Sequence, residues 1–147
     1  MINPHRLAAL AILIGLAPIA ASADQDPKAD LKRFEGVWKV TRAEKDGKAL
    51  PDEMLKDIKV TIAADRFTIK DGKDEDVAII KVDASKKPGL IDFVPADDVK
   101  QLAPGIFTFE GETLKICWAK VGGERPKEFS SRAENENRLF ILVKDGP

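Results

Sequence analysis

The stretch Phe34-Glu35-Gly36-Val37-Trp38-Lys39-Val40 decides how the rest of the chain is read. Its large apolar residues Phe34, Trp38 and Val40 fall at even spacing, the period of a strand whose alternate side chains face one core. Gly36, midway between Phe34 and Trp38, marks a place where the strand bends or another segment comes close. The segment is therefore expected to be the first strand of a small antiparallel barrel or strongly curled sheet.

The residues downstream repeat this pattern. Ile58, Val60 and Ile62 alternate with Lys59 and Thr61. After a tight connection at Asp65-Arg66, Phe67 and Ile69 alternate with Thr68 and Lys70, which makes a hairpin. Asp71-Gly72 is the next turn signal. Val77 to Val82 and Leu90 to Val94 are strands separated by the breaker Lys86-Lys87-Pro88-Gly89. The clearest hairpin pairs Ile106 to Phe109 with Thr113 to Ala119 around Glu110-Gly111-Glu112. It sets Leu114, Ile116 and Trp118 on one face and Lys115, Cys117 and Ala119 on the other. Lys127 to Arg132 is a further candidate strand. Arg138 to Lys144 is the last, apolar enough through Leu139 to Val143 to be buried on both faces or paired on both edges.

With Gly36 to Ala43 this makes nine candidate strands, whereas antiparallel closure needs an even number. One short helix is expected over Leu50 to Lys56, with Pro51, Asp52 and Glu53 in its first turn, as a lid over a barrel end. The fold class expected is all-β: a small antiparallel meander barrel of about eight to ten strands with one short helix.

Upstream of the first strand, Arg6 in a short polar start, an apolar run from Leu7 to Ile19 and Ala21-Ser22-Ala23 form the pattern of a secretory signal peptide over residues 1–23. The run is too short for a membrane span. A flexible leader over 24–33, with one helical turn near Ala29 to Arg33, and a single β domain over 34–147 complete the expected organisation. The product is expected to be secreted or periplasmic.

Composition then narrows the chemistry. The only His is His5, inside the cleaved segment, and there is no Tyr, so the mature chain lacks imidazole. Histidine-based nucleophilic triads, general bases and zinc sites are thereby removed. Cys117 is the only cysteine; it sits in a patterned strand and is expected to be a buried, inert thiol. Loss of Arg6 leaves 23 basic side chains against 25 acidic ones, interspersed along the chain, which points away from nucleic acid as a partner. Asp71 to Asp76 lacks calcium-loop spacing and reads as a solvated turn. Arg125 reads as a structural cation paired with Glu124 or Glu128.

Gly36-Val37-Trp38 resembles the Gly-x-Trp signature of the lipocalin and fatty-acid-binding superfamily. The resemblance implies a Trp packed at the closed end of a barrel under an Arg late in the last strand. Here that late position is Lys144, while Arg138 begins the strand and is expected near Arg42.

A wider resemblance rests on Phe34 to Val40, Asp46-Gly47-Lys48-Ala49-Leu50-Pro51, Pro104-Gly105-Ile106-Phe107, Thr113 to Trp118 and Glu124-Arg125-Pro126-Lys127-Glu128-Phe129. It is similar to an uncharacterised domain family of exported planctomycete proteins, lipocalin-like in strand pattern, and implies no activity.

The function expected is an exported, non-enzymatic binding protein holding a small apolar ligand, with Trp38, Phe67, Phe107, Phe109 and Trp118 as the lining. The alternative is a structural or interaction module with a filled core that binds another envelope protein. No catalytic residue, metal or cofactor is expected.

Overall fold

The computed structural model of the chain describes residues 27–145. The expected signal peptide and the first residues of the leader lie outside the described residues. The element order is α1 (Pro27–Phe34), β1 (Gly36–Lys45), β2 (Lys48–Ala49), α2 (Asp52–Leu55), β3 (Ile58–Ala63), β4 (Arg66–Asp71), β5 (Asp74–Asp83), β6 (Gly89–Pro95), β7 (Ala103–Glu110), β8 (Thr113–Trp118) and β9 (Arg138–Lys144).

The strands run as an antiparallel meander in which β1 also pairs with β9, so that eight strands close a barrel. The strand left over is β2, two residues paired to the far end of β1 at Glu44↔Ala49 and Lys45↔Lys48. This resolves the parity of the strand count. Lys127 to Arg132 is not a strand but part of a long connection between β8 and β9. There are also two helices, not one, because the leader winds into the eight-residue α1.

β1 carries the seam. Gly36 to Lys39 pair with β3, whereas Trp38 to Lys45 pair with β9. Plain alternation from Trp38 and Val40 would turn Arg42 into the core. A register shift between Val40 and Arg42 absorbs one residue instead, so Ala43 is buried and Arg42 faces out, 2.7 Å from Glu44. A bulge resets which face each later side chain occupies and bends the strand, which closure requires.

The inward rows form one core, from Phe34 and Trp38 through Val60, Ile62, Phe67, Ile80 and Ile91 to Leu114, Ile116 and Leu142. A second, smaller cluster lies outside the barrel wall. There Leu90, Ile106, Cys117 and Leu139 are cross-strand neighbours in a row over four strands, covered by Phe129 from the β8–β9 connection. β9 is thus paired on both edges and apolar on both faces.

Arg125 pins that connection. Its Nη2 is 2.7 Å from Asp92 Oδ1, and its Nη1 donates to the Gly105 carbonyl at 2.8 Å. The expected partners Glu124 and Glu128 are not used; Glu128 pairs with Arg132 at 3.0 Å. The wall strands β6 and β7 offer Arg125 both a carboxylate and a carbonyl at one spot, which no neighbour in sequence can match.

Candidate functional site

The two ends of the barrel are built differently. At the end where β1 starts and β9 stops, α1 plugs the opening. Phe34 enters the barrel and packs edge-on to Phe107 and Phe109, with ring centroids 4.9 and 5.0 Å away. The Trp38 indole N–H donates to the Phe34 carbonyl at 2.6 Å. Lys144 Nζ stands 4.6 Å over the Trp38 ring and donates to the Glu35 carbonyl. Arg33 covers Phe109 at 4.1 Å.

Gly36 sits within this clasp at φ +132°, and a Cβ there would lie 2.7 Å from Lys144 Nζ. Gly at this position is therefore required by backbone conformation and favoured by close approach. Arg138, in contrast, lies opposite Lys45 and Trp118, far along the strand from Arg42, which pairs with Ile141. The register set by Trp38↔Lys144 would already put Arg138 opposite Glu44, and the bulge carries it one residue further.

The opposite end stays open in part. β1 leaves β3 after Lys39, and the gap beyond is filled by α2 and Leu50, with Leu55 buried against the core. The short helix therefore covers the β1–β3 side of the mouth. On the β4–β6 and β8–β9 side a cavity of about 540 Å³ opens. Its apolar wall includes Phe67, Ile69, Ala78, Phe93, Ala103 and Trp118. Phe67 meets Phe93 at 5.1 Å, Phe93 meets Trp118 at 5.3 Å and Trp118 meets Phe140 at 4.9 Å, giving a continuous aromatic floor. The first and last of these pairs are edge-to-face, an arrangement that holds rings in place beyond what area burial alone supplies.

The rim is polar. Asp76 continues the inward row of Ile80 and Ala78 to the mouth, and Arg138 continues the row of Leu142 and Phe140. Glu75 and Asp97 complete it. Glu75 is 3.9 Å from Lys70, both exposed; Asp76, Asp97 and Arg138 make no ion pair among the described residues.

The five expected lining residues are thus divided. Phe67 and Trp118 line the cavity, whereas Trp38, Phe107 and Phe109 belong to the plugged end. Phe93, Asp76, Asp97 and Arg138 join the site without having been singled out from sequence. The alternation Ile91-x-Phe93 against Leu90 and Asp92 does mark Phe93 as inward, but not at which depth.

Among the described residues there is no group of His, Cys, Asp and Glu arranged to hold a metal, and no helix long and apolar enough to cross a membrane. Cys117, buried in the outer cluster, donates to the Ser130 carbonyl at 3.4 Å, and burial pushes its thiol pKa up. No protein-family model, curated protein or solved structure matches the chain.

Proposed function

We propose that the protein is an exported, non-enzymatic binding protein that holds a small apolar ligand at the open end of its barrel. The observation that carries this reading is the cavity at the open end, whose apolar wall is built on Phe67, Phe93 and Trp118. Its volume of about 540 Å³ is in the range of small-molecule sites. The signal-peptide pattern of residues 1–23 supports export, and the mature chain's lack of His and Tyr supports a binding role over catalysis. The Gly36-x-Trp38 seam and the wider motif set support kinship with the lipocalin-like exported family named above.

A reporter is built into the site. Trp118 lines the cavity while Trp38 is 1% exposed under Lys144, so a Trp38→Phe variant leaves Trp118 as sole emitter. Occupancy predicts a saturable change in Trp118 emission with medium-chain alcohols or aromatic apolar probes, and co-purifying ligand in native mass spectrometry. Unchanged emission across such a panel, together with a bare mass, removes the reading.

A second reading is an interaction module, favoured by one observation. Leu102 and Val121 are exposed together beside the mouth, with Val99 73% exposed nearby in sequence. Crosslinking in the native envelope that captures a partner through Leu102 or Val121, with no small ligand in the barrel, would favour it.

A further inference from the structure

We infer that the ligand of the open end is an amphipathic cation, an apolar body carrying an ammonium or similar positive head. This rests on the binding reading above and specifies its chemistry. The wall and the rim divide the work between them. Phe67, Phe93 and Trp118 offer an apolar wall, while Glu75, Asp76 and Asp97 stand at the mouth against a single cation, Arg138. The rim's formal charge is therefore −2, and Lys70 at 3.9 Å offsets part of Glu75.

Asp76 is the best placed of the three carboxylates. Its register opposite Ile69 puts it on an inward-facing row directly above Ala78 and Phe67, where a head group leaving the apolar floor would emerge. An anionic head would meet three like charges to reach one guanidinium; a neutral head would leave the carboxylates indifferent. The rim therefore selects the charge of the head, and the floor selects the apolar body.

The test compares decyltrimethylammonium, decanol and decanoate, all below their aggregation limits, by Trp118 emission in the Trp38→Phe background. Exposed charge pairs of this kind are expected to make the ammonium about three- to tenfold tighter than the alcohol at low salt, with decanoate weakest. Added salt should narrow the gap, because screening acts on charges at an open rim. Asp76→Asn and Asp97→Asn should each weaken the ammonium about two- to fivefold and leave decanol unchanged, while Arg138→Gln should strengthen it.

If decanol binds as tightly as the ammonium, or Asp76→Asn changes neither, the charge assignment is overturned and the apolar cavity reading survives. If decanoate binds best and Arg138→Gln abolishes that, the assignment is reversed. If none of the three binds, both readings fall.

Discussion

Replacing Gly36 by Ala probes the clasp that closes the barrel. Gly36 stands at φ +132°, a conformation open to Gly and costing other residues about 1–3 kcal/mol. The added methyl would also meet Lys144 Nζ at 2.7 Å. Because Nζ is the end of a flexible chain, it can swing aside, and what is then lost is its contact with the Trp38 ring and the Glu35 carbonyl. An exposed cation–π contact contributes about 0.5–1 kcal/mol, so the total expected loss is about 2–4 kcal/mol.

The assay is urea unfolding followed by Trp emission, on Gly36→Ala, Lys144→Met and the double variant. Lys144→Met alone should cost about 1 kcal/mol. In the double variant the two losses should overlap by about that amount, leaving the backbone term. A Gly36→Ala variant within about 0.5 kcal/mol of the parent would refute the requirement for glycine at this seam. Strict additivity in the double variant would refute the contact between residue 36 and Lys144.

Other regions of the fold give equally direct expectations. A Cβ at Gly89 would enter the Phe107 ring, which Phe34 and Phe109 hold in place, so Gly89→Ala should cost about 1–3 kcal/mol in thermal or urea unfolding. Arg125→Ala should release the β8–β9 connection, seen as faster amide exchange and earlier proteolytic cleavage within 119–137 while the barrel strands stay protected.

Cys117 should resist thiol reagents until the protein unfolds, since it is fully buried. Its raised folded pKa favours the protonated thiol, so its contribution to stability is complete below the unfolded thiol's pKa, about 8.5. That contribution is lost as pH rises through the higher folded value. The fall in urea midpoint above that pH should be shallower in Cys117→Ala.

Much of the barrel is visible in the chain because local spacing encodes it. Ile58 to Ile62, Phe67 to Lys70 and Leu114 to Trp118 alternate, and each is a strand with every second residue, the apolar set starting at Ile58, Phe67 and Leu114, facing inward. Lys127 to Arg132 misleads because a segment draped on the outside of a barrel also buries apolar side chains, Phe129 among them, without forming a ladder. The two-residue β2 carries no periodic signal at all. Arg42 shows a different limit: a bulge of one residue is silent in composition yet moves every later side chain of β1. The candidate site was legible to the extent of Phe67 and Trp118.

From sequence alone follow the all-β class, the meander order, the signal-peptide pattern of residues 1–23 and the absence of His beyond His5. These depend on period-two spacing, turn residues and residue counts, all of which are local. Tertiary structure alone decided which aromatics share a compartment. Inward-facing residues look alike in the chain, and their depth along the barrel axis is set by strand register, by the bulge in β1 and by which end α1 plugs. That is why Trp38, Phe107 and Phe109 close one end while Phe67, Phe93 and Trp118 floor the other, beneath a rim whose charges come from three separate segments, at Glu75-Asp76, Asp97 and Arg138.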